Sequence, residues 1–367
     1  MATITKRAEG KYLIRISRGT GKNRKLIALT FRGTLKKAKE FARERETTID
    51  SGRSIEAATL TFAQFFHKWC LAIAPTVSPR TLHGYESYIE RYALEPLGSV
   101  SLAEIRTFHI QSIYAGLKVG PTTVRNLHAA LRAAFGYAVK KELLRSNPCK
   151  NVNLPRKKRN PIIVLDMEEA AAFGLACREM RHGIIFEFAL ETGMRPEEYL
   201  ALRWSDIAGS EISVEQALQF NTKGGGFYFK ELKTARSRRR IPISDGLRMR
   251  LIAHRRRQNE HRLASRRIWF DHDLVFPNEI GRPFLLRNLS QRYLRPILER
   301  CGITKKMSLY SLRHSCATLL LMLGENPKVV ADRLGHSSVV LTLDTYSHVL
   351  PHIQAAATDK LSRVLGA

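Results

Sequence analysis

The sequence predicts a multidomain chain, mainly α with small β-sheets. It reads as a small β-sheet plus helix N-terminal domain, an all-α domain and a C-terminal α+β domain. Three observations lead there. The hydrophobic period is two near the N-terminus and becomes helical after about residue 60. A basic, proline-bounded stretch without apolar period, residues 156–161, separates the two larger parts. At 367 residues the chain has room for two or three domains, each burying its own core. The expected division is 1–56, 57–155, a linker 156–161, and 162–367.

The elements follow in order. Tyr12, Ile14 and Ile16 alternate with Leu13, Arg15 and Ser17, a Gly19–Asn23 turn follows, and a second strand runs from about Lys25 to Phe31. Thr34 then caps a charged helix to about Ile49. Phe62, Phe65, Phe66, Trp69 and Ile73 mark one helical stripe, and Ser78-Pro79 opens a second helix through Leu82, Tyr85, Ile89 and Tyr92. A third follows Pro121 and packs through Val124, Leu127, Leu131, Phe135 and Val139. Aromatics at helical spacing belong to a core rather than to a base-stacking surface. Past the linker, Ile184–Leu190 is a buried helix stopped at Gly193, and Pro196-Glu197-Glu198 opens another, with its acids where the helix dipole favours them. Strands are expected over Ile207–Phe220, Gly226–Leu232 and Arg238–Ile243, the last two as a hairpin over Lys233–Arg236. Helices are expected at about 308–323, 327–334 and 338–345.

The charge narrows the function. Lys and Arg number 61 against 33 Asp and Glu, a net +28. Residues 1–56 hold 15 basic and 6 acidic side chains, 57–160 hold 15 and 5, and 161–367 hold 31 and 22. Every part of the chain is therefore basic, as suits a protein that wraps a duplex rather than one with a single binding arm. The five cysteines form no C-x-x-C pair, which argues against a disulfide framework and a zinc site and fits a reducing cytoplasm. The longest aliphatic run, Leu319–Leu323, is too short to span a bilayer, so no membrane is expected.

Four short motifs bring chemistry to this frame: Thr192–Glu198 with Arg195, Tyr310–His314 with Arg313, Leu334–Ser338 with His336, and Asp344–His348 with Tyr346. A phosphodiester under in-line attack gathers charge on its nonbridging oxygens, and planar guanidinium forks match that geometry. A phenol with an ordinary pKa near 10 needs nearby positive charge or a base before it can attack. Arg195, Arg313 and His336 supply both for Tyr346. Lys233 is placed to protonate the leaving oxygen. Two forks, a lysine, an imidazole and a phenol suit phosphoryl transfer through a phosphotyrosine, with no cofactor and no metal.

With these residues, Thr192–Val349 resembles the catalytic domain of the tyrosine recombinases, the phage-integrase type. The resemblance implies site-specific DNA strand cleavage and rejoining through a 3′-phosphotyrosyl bond, integrating or excising a mobile element. It implies Arg195 and Arg313 as the arginine pair, Lys233 as the β-hairpin lysine, His336 as the second histidine, Tyr346 as nucleophile and Glu198 as the brace of the first arginine's turn. The all-α part resembles a core-binding domain, and residues 1–50 an arm-binding domain. The implied partners are double-stranded DNA at core and arm-type sites, a homotetramer on DNA, and DNA-bending accessory proteins with a directionality factor. The implied location is the bacterial nucleoid or a phage-infected host cell.

One position departs from the family. Where His-x-x-Arg is usual, this chain has Tyr310, which can donate a hydrogen bond but not carry imidazolium charge. Tyr310 is expected to face the scissile phosphate as a neutral donor, and His314 is not expected to replace the histidine, because adjacent helical residues face different ways. A rival reading, a non-catalytic DNA-binding regulator, rests on Lys328–Ser338, which imitates a helix-turn-helix. It leaves Arg195-Pro196-Glu197 and Tyr346 unexplained. A metal-dependent nuclease is disfavoured by the lack of a convincing acidic ligand cluster. The apolar face of 347–367 is expected to dock on a neighbouring protomer.

Overall fold

The computed structural model describes residues 2–18, 25–50, 59–157, 161–221, 225–232 and 237–346, with 358, 362, 364 and 365 near the C-terminus. Lys233 and nearly all of the 347–367 tail therefore lie outside the described residues. The chain divides into two compact units, Met1–Arg159 and Asn160–Ala367. Among the described residues no helix is long and apolar enough to cross a membrane.

The first unit begins with an antiparallel sheet in the order β1 (Ala2–Ala8), β2 (Lys11–Arg18), β3 (Lys25–Arg32). The strand β1 is additional to the sequence reading. Ile14 and Ile16 are buried from one face of β2, as their alternation requires, and Phe31 packs at a tilt against Phe41 of α1 (Leu35–Asp50) with ring centroids 5.2 Å apart. Thr34 Oγ1 accepts from Lys37 N at 3.4 Å and so caps α1.

The all-α part contains α2 (Phe62–Ile73), α3 (Pro79–Tyr92), the short α4 (Leu94–Leu97), α5 (Thr107–Gly116) and α6 (Pro121–Lys140). Thr61 and Gln64 close a capping box on α2, and Ser78 Oγ accepts from Thr81 N at 3.2 Å with Pro79 at the first helical position. Phe62, Phe65, Trp69 and Phe135 are fully buried, and Phe62 stacks on Phe135 at 5.5 Å. Burying each such ring contributes on the order of 2–3 kcal/mol. These aromatics are core, as their spacing indicates.

The second unit opens with α7 (Met167–Glu179), α8 (Gly183–Thr192) and α9 (Pro196–Tyr199). The expected strand over Ile207–Phe220 is three pieces, β4 (Ile207–Ala208), β5 (Glu211–Val214) and β6 (Gln216–Phe220), with a turn at Gly209, φ +61°. The expected hairpin pairing is also corrected. The strand β7 (Phe227–Glu231) pairs with β6, while β8 (Arg239–Pro242) pairs with β5. Gly225 and Gly226, at φ +71° and +89°, make the reversal before β7, and Ile241 of β8 lies opposite Ile212 of β5 with both side chains buried. The strands β7 and β8 therefore do not pair as a hairpin, and Lys233 itself lies outside the described residues.

Besides α7, two further helical stretches of this unit were not read from the sequence. The helix α10 (Asp245–Ala264) buries only Leu247 and Leu251, so its apolar stripe is too short to stand out among its charges. Then α11 (Leu286–Leu289) passes through one wide π turn, Ser290–Leu294, into α12 (Arg295–Arg300). Three helices close the unit: α13 (Leu309–Met322), α14 (Pro327–Leu334) and α15 (Val339–Thr345). The core joins Phe186 and Phe188 of α8 to Tyr199, Ile212, Ile241, Phe276 and Leu312.

Candidate active site

The site is built on two helix ends. Gly193 stops α8 at φ +64°, and a Cβ there would stand 2.7 Å from Leu334 Cδ2, so both the turn and the packing require glycine. Gly335 ends α14 at φ +66° in a Schellman motif, in which His336 N donates to Ala331 O and Gly335 N to Asp332 O. That motif leaves carbonyls of the last turn without helical partners. Arginine side chains satisfy three of them: Arg239 Nε donates to Arg333 O at 2.6 Å, Arg313 Nη2 to Leu334 O at 2.7 Å and Arg195 Nη2 to Gly335 O at 3.3 Å. The negative end of the helix dipole favours these cations. Arg313 Nη1 also donates to Gly193 O at 2.8 Å, tying the two helix ends together.

Glu198 sets the arginines' orientation. It is 2% exposed and accepts from Arg195 N at 2.9 Å, Arg195 Nη1 at 2.7 Å and Arg239 Nη2 at 2.8 Å. Burial works to raise its pKa, but Arg239 and then Arg195 together hold it below the usual carboxylate range. The two arginines differ in reach. The Arg195 side chain is 34% exposed and keeps donors for a ligand, whereas that of Arg239 is 6% exposed and braces from behind. Arg313 is buried, and burial first, then Arg195, lowers its pKa to about 10, which leaves it cationic at neutral pH.

His336 extends from the Schellman turn with Nδ1 2.8 Å from Thr342 Oγ1 of α15. Burial, then Arg313 and Arg195, push its pKa down to about 4, so the imidazole is neutral at pH 7. Tyr346 caps α15 through its own N–H to Thr342 O at 2.9 Å and is 1% exposed, packed with Ala317, Leu321, Val330 and Leu334. Burial raises its pKa to about 12, against the lowering influence of Arg313. Its hydroxyl lies 2.9 Å from His314 Nδ1.

Arg195, Arg313, His336 and Tyr346 are thus gathered around the C-terminus of α14. Tyr310 lies beside them, 40% exposed, and donates its hydroxyl to Glu197 Oε2 at 2.5 Å. Lys233 lies outside the described residues. Sequence reasoning missed Arg239 and set His314 aside. Adjacent helical residues do face different ways, by about 100°. Here, however, α13 is contacted from two sides, so Arg313 meets the end of α14 while His314 meets the residue that ends α15. The basic run Ser237–Arg240 was the only sequence signal for Arg239.

Residues 164–352 match the phage integrase family, and residues 61–118 match the N-terminal SAM-like domain of phage integrases. The chain belongs to the phage integrase family. It is a tyrosine-type site-specific DNA recombinase. A tyrosine recombinase XerC-like protein of Caldanaerobacter subterraneus is 29% identical over 96% of this chain and 95% of its own length. The Tn1549 transposon integrase, solved in complex with transposon right end DNA, has a TM-score of 0.66 at 21% identity and covers 83% of this chain and 100% of its own. A lambda integrase tetramer bound to a Holliday junction has a TM-score of 0.56 at 17% identity, with 91% and 95% covered. Both structures share the integrase fold with this chain.

Proposed function

We propose that this integrase cuts and rejoins duplex DNA through a 3′-phosphotyrosyl bond on Tyr346, moving a mobile element into or out of a larger DNA. The observation that carries this is the grouping of Arg195, Arg313, His336 and Tyr346 at one helix end, with the arginines oriented by Glu198. The two guanidinium groups hold the nonbridging oxygens, and charge developing there in the transition state strengthens the contact. His336 is a neutral hydrogen-bonding partner of the same phosphate. Lys233 delivers a proton to the leaving 5′ oxygen. Tyr310 is a neutral donor at the rim. One phosphoester is exchanged for another, so the bond energy is kept for rejoining and no ATP is consumed.

Residues 1–56 are the arm-type reading head, 57–155 the core-binding domain, 156–161 the linker and 162–367 the catalytic domain with its tail. The working unit is a homotetramer on two duplexes in the cytoplasm, with DNA-bending proteins and a directionality factor as accessory partners. The tetramer of lambda integrase on a Holliday junction supports that assembly. On a nicked suicide duplex, wild type forms a covalent protein–DNA adduct, and Tyr346→Phe binds the duplex but forms none. An undiminished adduct in Tyr346→Phe removes the assignment.

A further inference from the structure

We infer that His314 is the proton acceptor for Tyr346 in this chain. The inference rests on the reading of Tyr346 as nucleophile. Its ground is geometric: His314 Nδ1 is 2.9 Å from Tyr346 Oη, and the two rings lie 5.8 Å apart between centroids. Tyr310 directs its hydroxyl to Glu197, and His336 turns Nδ1 to Thr342. A phenol cannot serve as a base near neutral pH, so the position where the family usually has histidine offers this chain no proton acceptor.

The protonation states agree with the geometry. Burial, then Arg313, lowers the His314 pKa, so its ring is neutral and holds a lone pair. Tyr346 stays protonated at neutral pH. In the Nε2–H tautomer, Nδ1 accepts the phenolic hydrogen. Among the described residues, the charged and titratable groups acting on this pair include Arg313 and Cys316 on the same helix and His336 beyond the end of α14.

The step balances as follows. Tyr346 Oη forms a bond to phosphorus as its O–H bond breaks and the proton passes to His314 Nδ1. The P–O5′ bond breaks, its electron pair leaves with the 5′ oxygen, and Lys233 protonates that oxygen. On rejoining, the 5′ hydroxyl returns its proton to neutral Lys233 as its oxygen bonds to phosphorus, the P–Oη bond breaks, and the His314 imidazolium returns its proton to the departing phenolate.

The test measures single-turnover adduct formation on the suicide duplex by wild type, His314→Asn and His314→Gln, each with tyrosine or a more acidic ring-fluorinated tyrosine at position 346. Far-UV circular dichroism and gel shift establish that each variant folds and binds. The expected result is normal DNA binding with adduct formation slowed about 100-fold or more, since a general base contributes on that order. Fluorination should recover at least about tenfold in the variants and change wild type far less, because only a site lacking a base gains from an easier deprotonation. A duplex with a sulfur leaving atom at the 5′ position, which needs no proton donor, should leave the defect unchanged. The inference is overturned if both variants cleave within about threefold of wild type, or if fluorination recovers nothing, which assigns His314 to packing alone. If Tyr346→Phe forms the adduct, the reading of Tyr346 falls and this inference falls with it. A loss confined to the fluorination experiment leaves that reading intact.

Discussion

At position 310 one proton has two acceptors to serve. In the free protein the Tyr310 hydroxyl donates to Glu197, and burial, then that carboxylate, pushes its pKa up, so it stays protonated throughout the working pH range. A phosphate held between Arg195 and Arg313 would compete with Glu197 for the same hydrogen. Removing the donor in Tyr310→Phe should slow single-turnover cleavage about 100-fold, the usual cost of losing one preorganised donor, with DNA binding unchanged. Tyr310→His should behave in the opposite sense as pH falls. Its imidazole gains a proton and a charge, so its cleavage rate relative to wild type should rise toward lower pH. Equal rates for wild type and Tyr310→Phe would show that the hydroxyl serves Glu197 alone.

At the scale of elements, Glu198 and the end of α14 form one unit. Glu198→Gln would leave Arg195 and Arg239 facing a neutral group inside the protein, and breaking a buried pair typically costs about 3–5 kcal/mol. The pH dependence follows from the direction of the shift. The folded-state pKa lies below the unfolded value of about 4.5, so the carboxylate stabilises the fold above that pH and the contribution fades as pH falls through the folded pKa. Urea unfolding of wild type and Glu198→Gln should therefore differ most near neutrality and converge in acid. A constant difference across pH would remove Glu198 as the source. This unit was half legible in the sequence. Gly193 and Gly335, the proline-opened helices and the spacing of Arg195, Arg313, His336 and Tyr346 are local signals, and each lies where local rules put it. Arg239 and His314 were not legible in that way, because their partners are fixed by packing: Arg239 reaches a carbonyl 94 residues away and His314 a hydroxyl 32 residues away. Strand pairing failed for a related reason. Two turn-like stretches, 221–226 and 233–236, flank β7, and the buried pair Ile212 and Ile241 decides between them.

For the whole molecule, the site arginines Arg195, Arg239 and Arg313 explain little of the net charge of +28, because they are three of 61 basic residues. The remainder is spread over all three proposed parts, +9 of it on residues 1–56. That segment has its own core of Ile14, Ile16 and Ala42, which shares no residue with the Phe62–Phe135 core. Deleting 1–56 should therefore leave the rest folded and able to cleave a core suicide duplex at close to the wild-type rate. Overall DNA affinity should fall, and its dependence on salt should become shallower, because fewer counterions are released. Recombination that depends on arm-type sites should be lost, if the sheet reads sequence rather than supplying charge. A competition assay with the isolated segment at about 0.15 M salt, where loose charge binding is suppressed, separates these roles. Preference for one duplex over its scrambled competitor establishes a reading head, whereas equal competition reduces the segment to a basic anchor.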